Sequence, residues 1–148
     1  MTEHLLHLED IEVGRCFCSQ SFLLDEASLK QFAMAYDPQP FHLDDESARH
    51  TLFGGLAASG WHTAAITMRL MVESVPMAKG MIGAGVEITW PQPARPGDQL
   101  RAESTVLEIS PSRSKPDRAI VLLETITLNQ KNEILQKLRS RIVMFRRS

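Results

Sequence analysis

One short segment of the sequence carries the residue types needed for proton transfer. It reads Tyr-Asp-Pro-Gln-Pro-Phe-His from Tyr36 to His42. Its two prolines restrict the backbone between Asp37 and His42, so these two side chains are expected to keep a defined relation. A carboxylate beside an imidazole can hold one water molecule and exchange protons near neutral pH. From spacing alone, the pattern fits hydration or dehydration chemistry and a simple capped turn equally well; in the capped turn, Asp37 would end a helix and His42 would lie on the surface.

Two helices are expected to position this segment. Asp25 is a typical N-cap, and the apolar residues that follow it recur at helical spacing up to Tyr36. That helix should stop near Asp37, because proline disfavours the helical conformation in the residue before it. A second, short helix is predicted from Asp45 to His50, with Asp44 as its cap.

A third and much longer helix is predicted from Gly60 to Val75, where Pro76 ends it. At 1.5 Å per residue it would run roughly 24 Å, enough to cross a whole sheet. We expect one apolar stripe to pack it against that sheet, formed by Trp61, Ala64, Ala65, Met68, Val72 and Val75.

The rest of the chain alternates as antiparallel strands do. One short strand is predicted from Cys16 to Leu24, and four longer ones span Met81 to Trp90, Gln99 to Ser110, Arg118 to Leu128 and Ile134 to Phe145. In the last strand, three basic residues share one face and Leu138, Ile142 and Met144 share the other. Such strands predict an α+β fold in which one antiparallel sheet wraps the long helix.

Composition narrows the function classes. The chain has 148 residues, which predicts a single domain, and its formal charge of -2 lacks the basic field of a nucleic-acid-binding protein. The acidic stretch from Met1 to Glu12 does not resemble a signal peptide, and no apolar run is long enough to span a membrane. Cys16 and Cys18 are interpreted as reduced, which favours a cytoplasmic protein without a metal or disulfide at this pair.

The segment around His42 resembles the signature of the MaoC-like dehydratases, also called (R)-specific enoyl-CoA hydratases or hydratase 2. That family has Gly-Asp-x-Asn-Pro-(aliphatic)-His, followed six residues later by a small residue. Asp37, Pro40, His42 and Ala48 occupy the corresponding positions here. The helix before the motif, the glycine turn, the turn ending in Pro96-Gly97-Asp98 and the last strands also occur in the same order. The resemblance implies one hot-dog domain over residues 1–148.

The resemblance also implies an activity. Water bound between Asp37 and His42 would add syn across a trans-2-enoyl thioester, or leave in the reverse reaction, with no metal or redox cofactor. In the resembling enzymes, the glycine equivalent to Gly60 offers its backbone N–H to the thioester carbonyl. The free N–H groups and macrodipole of a helix N-terminus suit that role. The alternative is that Ser59 caps the helix and Gly60 only relieves crowding.

Other residues near the motif are candidate substrate contacts. Gln39 stands where the family has Asn and offers the same amide groups on a side chain one methylene longer. Ser59 adjoins Gly60, and Trp61 is expected either to line an acyl pocket or to belong to the core. Tyr36 and Phe41 also depart from the family pattern. Three weaker sets of candidates remain. His62 and Thr63 are expected to pack or to cap the helix. Asp44, Asp45 and His50 could form a metal cluster, although helix capping explains them better, and Arg95 and Arg118 could contact the phosphates of coenzyme A.

The expected function is a hydratase or dehydratase acting on a 2-enoyl-CoA or 3-hydroxyacyl-CoA thioester. An acyl-CoA thioesterase is one alternative, although the long helix offers only Glu73 as an acidic residue, away from the apolar stripe. A non-catalytic acyl-thioester-binding subunit is the other, and retention of both Asp37 and His42 argues against it. The expected partners are an acyl-CoA substrate and a second copy of the chain in a homodimer or larger homo-oligomer, with no nucleic acid and no membrane.

Overall fold

A computed structural model describes residues 4–148 of the chain. Four helices and six strands follow a short 3-10 helix, Leu8–Asp10, in chain order. They are β1 (Cys16–Cys18), β2 (Phe22–Leu23), α1 (Glu26–Tyr36), α2 (Pro40–Leu43), α3 (Asp45–Ala48), α4 (Gly60–Ser74), β3 (Ile82–Thr89), β4 (Gln99–Pro111), β5 (Arg118–Leu128) and β6 (Ile134–Phe145).

The strands form one antiparallel sheet in the order β1-β4-β5-β6-β3, and β2 also pairs with β4. Burial alternates along β5 and β6, so each presents one face to the core. In β6, Leu138, Ile142 and Met144 are buried while the basic residues between them are exposed. The predicted faces of this strand are therefore confirmed.

The core lies where α4 meets the inner face of the sheet. The end of α4 packs with β4, β5 and β6 through residues such as Met71, Val106 and Ile142. Nearer its start, Ile66 and Leu70 pack with Leu29 of α1. A long helix wrapped by an antiparallel sheet is the hot-dog arrangement, so the expected α+β class is confirmed.

Helix caps hold the segment between α1 and α4 in place. The side chain of Asp25 accepts a hydrogen bond from the Ser28 N–H at 2.7 Å, and that of Asp44 accepts one from Ser47 at 2.9 Å. Both caps lie where the sequence predicts them. The helix after Asp44 ends at Ala48 rather than at the predicted His50.

The predicted apolar stripe of α4 is wrong. Trp61, Met68 and Val72 are 61%, 43% and 50% exposed, whereas the helix buries Ile66, Leu70 and Met71 together with three polar residues. Apolar residues occur on both sides of this helix, so its periodicity alone does not identify the side that meets the sheet. The exposed side forms an apolar surface that no described residue covers.

One strand prediction needs correction, and one short helix has no counterpart in the sequence prediction. The single strand from Cys16 to Leu24 is divided into β1 and β2, because the Ser19 hydroxyl accepts the hydrogen bond of the Ala102 N–H at 2.8 Å and interrupts the backbone ladder. The turn between the two motif prolines also continues into a short helix, α2. Pro40 begins that helix, a position where its missing N–H costs no hydrogen bond.

Strand β3 forms the edge of the sheet and is exposed on both faces. It pairs with β6 on one side, and no strand of residues 4–148 pairs with its other side. Within the same residues, none of the helices combines the length and apolar character needed to cross a membrane. Cys16 and Cys18 are both exposed and not joined by a disulfide.

Candidate active site

The motif segment folds back so that Asp37 and His42 meet. Helix α1 ends where the Asp37 N–H donates to the Ala33 carbonyl at 2.8 Å. Gln39 then starts α2, and the His42 N–H donates to the Gln39 carbonyl at 2.9 Å. His42 thus lies one helical turn beyond the bend, on the side that faces the end of α1. Both side chains depend on the same proline-restricted turn.

The carboxylate and the imidazole are in direct contact. Asp37 Oδ2 lies 3.3 Å from His42 Nε2, and the His42 side chain is only 5% exposed. The other carboxylate oxygen, Oδ1, accepts a hydrogen bond from the Gln39 side-chain amide at 2.6 Å. Gln39, predicted as a substrate contact, therefore orients the Asp37 carboxylate in this structure.

A backbone carbonyl determines which nitrogen of His42 carries the proton. His42 Nδ1 lies 2.7 Å from the Ala57 carbonyl oxygen, which can only accept a hydrogen bond. The neutral ring therefore carries its proton on Nδ1, and the lone pair on Nε2 is directed toward Asp37. In the neutral ring, Nε2 and Asp37 Oδ2 are two adjacent acceptors, and a water molecule lying beside both can donate one hydrogen to each.

The surroundings keep Asp37 ionised. Partial burial raises the pKa of its carboxyl, but the Ser59 hydroxyl, the Gln39 amide and the positive charge of a protonated His42 imidazole outweigh burial and hold that pKa below its ordinary value of 3.8. Asp37 is therefore a carboxylate at neutral pH. It can accept a proton or position a positively charged imidazole.

His42 forms part of the wall of a cavity of about 470 Å³. Phe53 lines the same cavity, as do Gly60 and Thr63 in the first turn of α4. Residues Trp90–Arg95, between β3 and β4, close another side. More than half of the lining is apolar, as expected for a pocket that holds an acyl chain beside a few polar groups.

The start of α4 presents a free donor to this cavity. The Ser59 hydroxyl accepts a hydrogen bond from the Trp61 N–H at 3.3 Å, so Ser59 caps the helix. The Gly60 N–H has no acceptor among residues 4–148. A side chain at position 60 would collide with Trp90, whose ring lies 2.7 Å from an ideal Cβ. Both explanations for the glycine are therefore consistent with the structure: a larger residue would be crowded at position 60, and the backbone N–H there is available as a donor.

Other predicted residues lie away from the cavity. Trp61 is largely exposed and packs edge-on against Trp90, with ring centroids 5.3 Å apart. His62 stacks on Phe32 of α1 at 4.5 Å, which is the packing role expected for it. Asp45 accepts the Leu56 N–H at 2.9 Å and pairs with Arg49. Within residues 4–148, no three acidic, histidine or cysteine side chains come together as a metal site.

Two cavity residues have roles that the sequence analysis does not predict. The Arg95 guanidinium donates to the backbone carbonyls of Phe53, Gly55 and Leu56, and so holds the loop that forms one cavity wall. It was predicted to contact phosphates. Trp90 was assigned only to the end of a strand, and its Nε1–H donates to Gln136 at 2.9 Å. No local pattern marks either contact, since the partners lie about forty residues away in the chain.

The chain was compared with known proteins. It is 33% identical over 129 residues to the uncharacterized protein YdeM of Bacillus subtilis (strain 168), covering 85% of this chain and 89% of that protein. The crystal structure of a MaoC-like dehydratase from Rhodospirillum rubrum is 59% identical, with a TM-score of 0.95 over 97% of this chain and 99% of the other. The unliganded R-hydratase PhaJ1 of Pseudomonas aeruginosa is 26% identical, with a TM-score of 0.77 over 96% and 86%.

These similarities confirm the resemblance found in the motif and support a hydratase or dehydratase in general terms. The model of the MaoC like domain matches residues 11–127, which include Asp37, His42 and Gly60. The matched region also contains all of α4 and most of the sheet around it. This chain belongs to the family of proteins with a MaoC like domain.

Proposed function

We propose that this protein is an enoyl-CoA hydratase or 3-hydroxyacyl-CoA dehydratase in which Asp37 and His42 are the catalytic residues. One observation carries the proposal. The Oδ2 atom of Asp37 lies 3.3 Å from the Nε2 atom of His42, which lines an apolar cavity and whose imidazole is oriented by a backbone carbonyl. A binding protein without chemistry has no need for such a proton-transfer pair.

The geometry supports addition of both parts of a water molecule at a single site. A water molecule held by Asp37 and His42 attacks C3 of the enoyl thioester, forming the C3–O bond. One O–H bond of the water breaks and its proton passes to the pair. The same pair delivers a proton to C2, so both new bonds form on one face of the substrate. Dehydration is the reverse of these steps.

The negative charge that develops on the thioester oxygen needs a donor. The free N–H of Gly60 at the N-terminus of α4 can supply it, assisted by the helix macrodipole. Ser59 contributes by capping the same helix and by lowering the pKa of the Asp37 carboxyl. Under this proposal the whole 148-residue chain acts as one catalytic domain.

We also propose that the protein is a homodimer. Strand β3 has two exposed faces and an edge that no other described strand pairs with, and the neighbouring side of α4 exposes Trp61, Met68 and Val72. Trp61 packs against Trp90 immediately after β3, so the apolar surface extends from the helix toward the edge strand. A second copy pairing along β3 in a closed two-fold dimer would cover both.

The thioesterase alternative finds little support. Glu73, the only acidic residue of α4, is exposed near the end of the helix and pairs with Arg69 at 2.8 Å. It therefore lies more than three helical turns from Gly60, at the other end of α4. A general base that far from the cavity wall cannot reach a thioester carbonyl held at the start of α4.

The proposal is tested by following loss of the enoyl absorbance with short, branched and medium-chain trans-2-enoyl-CoA substrates. We expect the wild type to hydrate at least one of them and Asp37→Asn to be slower by about 100- to 10,000-fold. Asp44→Asn is the matched control, because Asp44 only caps α3 and a side-chain amide oxygen can replace its carboxylate there.

Three results would contradict the proposal. One is no turnover of any substrate by the wild type, which would favour the non-catalytic subunit. Another is equal turnover by wild type and Asp37→Asn. Release of free thiol without hydration, measured with a thiol reagent, would instead identify a thioesterase.

A further inference from the structure

Thr63 is a buried residue whose hydroxyl has no hydrogen-bond partner within the described part of the chain. It is 2% exposed and lines the same cavity as His42 and Gly60. No hydrogen bond from its Oγ1 to any residue of the described range 4–148 is formed, although its backbone N–H donates to the Ser59 carbonyl. The Oγ1 atom is not fully buried although the residue is, so the little surface that Thr63 exposes includes its hydroxyl, which is open to the cavity.

The helix itself cannot satisfy this hydroxyl. Thr67 and Ser74, the other hydroxyl residues of α4 after Thr63, donate to carbonyls four residues earlier, at 2.8 and 2.6 Å. The equivalent carbonyl for Thr63 belongs to Ser59. That oxygen already accepts the N–H groups of His62 at 2.9 Å and of Thr63 at 3.2 Å, which occupy its two lone pairs.

The position of Thr63 directs its hydroxyl toward the start of the helix. Side chains in an α-helix lean toward the N-terminus and cover the preceding turn. Residues three apart lie on one face, so Thr63 covers the turn that Gly60 begins. The Gly60 N–H and the Thr63 O–H thus lie at adjacent positions of one cavity wall, and neither donates to an acceptor among the residues that the structure describes.

We propose that the Thr63 hydroxyl is a second donor to the thioester carbonyl oxygen, beside the Gly60 N–H. This inference rests on the proposed hydratase activity, since it needs a bound enoyl thioester. Two converging donors stabilise the enolate-like oxygen more than one, and they act most strongly when the charge on that oxygen is greatest. Thr63 is then a catalytic residue of the chain, in addition to the Asp37 and His42 pair.

The first test is kinetic. Thr63→Val keeps the shape of the side chain and removes the hydroxyl, whereas Thr63→Ser keeps the hydroxyl. We expect Thr63→Val to lower kcat on the order of 100-fold with little change in KM, and Thr63→Ser to recover most of the rate. If Thr63→Val folds poorly, Thr63→Ala removes the same hydroxyl without a branched side chain. Thr105→Val, on β4 beside Cys16, is the control for a threonine outside the cavity.

The second test observes the carbonyl directly. Crotonyl-CoA labelled with 13C at the thioester carbonyl is bound to Asp37→Asn, in which turnover is slow, with and without Thr63→Val. We expect the infrared C=O stretch of the bound thioester to lie at a lower frequency when Thr63 is present, because each hydrogen bond weakens that bond. Thr63→Ser in the same background should preserve the shift.

The outcomes separate this inference from the proposed function. Equal C=O frequencies with and without the hydroxyl would overturn the role of Thr63 and leave the hydratase assignment intact. The same conclusion follows if Thr63→Val retains the wild-type kcat, as it would if the hydroxyl held only a structural water. Failure of crotonyl-CoA to bind any variant, together with no hydration by the wild type, would overturn both.

Discussion

The indole ring of Trp90 lies directly against the backbone of Gly60. An ideal Cβ at position 60 would be 2.7 Å from Trp90 Cε2, and the ring is held there by the hydrogen bond from Nε1 to Gln136. The first turn of α4 can therefore pack closely against the end of β3 because residue 60 is a glycine. The contact brings the Pro-rich segment 91–96 to the wall of the cavity.

Gly60→Ala is expected to destabilise the fold through this contact. The added methyl group must displace the indole, and overpacking of this kind costs about 1–3 kcal/mol in the free energy of unfolding. In a Trp90→Ala background the same substitution should cost clearly less, because the space is empty. The measurement is a double-mutant cycle by denaturant unfolding.

Gly83→Ala is the control for that cycle, since a Cβ there meets nothing within 4 Å and the backbone is not left-handed. An equal loss of stability for Gly60→Ala in both backgrounds would show that Trp90 is not the reason for the glycine.

Asp37 predicts how stability depends on pH. Its pKa is lower in the folded protein than in the unfolded chain, so its ionised form stabilises the fold. That contribution is complete above the unfolded value of about 3.9 and is lost as pH falls through the lower folded value. The free energy of unfolding of wild type, relative to Asp37→Asn, should therefore decrease as the solution is acidified below about pH 4.

Denaturant unfolding of both proteins between about pH 2 and pH 7 measures this difference. The readout is its slope with pH, because a constant offset reports only the changed hydrogen bonds at position 37. A difference that grows on acidification would mean that burial prevails and that the carboxyl pKa is raised.

Val86 tests the proposed dimer. It is 63% exposed in the middle of β3, on the edge strand that a second copy would pair with. A charge buried at such an interface is strongly unfavourable, so Val86→Asp should convert the dimer to monomers. Sedimentation velocity measures the change in mass directly.

Val13 provides a closely matched control, since it is 61% exposed and lies before β1, outside the helices and strands. Val13→Asp should leave the mass unchanged. A wild type that sediments as a monomer at high concentration, or an unchanged dimer in Val86→Asp, would show that β3 is not the interface.

Local chemistry made much of the fold predictable. Asp25, Asp44 and Ser59 are caps because a short polar side chain satisfies the first free N–H groups of a helix. The bounds of β5 and β6 follow from alternation bounded by turns. The relation between Asp37 and His42 was also expected, since two prolines in five residues leave the backbone few conformations.

Long-range packing determined what the sequence could not. The side of α4 that meets the sheet could not be read from periodicity, because apolar residues lie on both sides. That choice decides whether Trp61 or Thr63 faces the cavity, and the tertiary structure selects Thr63.

The amino-acid sequence by itself determined the family, the helix caps and most strand faces, since each follows from residue types and their spacing along the chain. It indicated the Asp37 and His42 pair but left a capped turn as the alternative. Only the tertiary structure decided that Ala57 orients His42, that Trp90 requires a glycine at position 60 and that the Thr63 hydroxyl finds no partner among residues 4–148. The first two depend on atoms that are distant in sequence and meet only after packing. The third depends on which side of α4 the sheet covers.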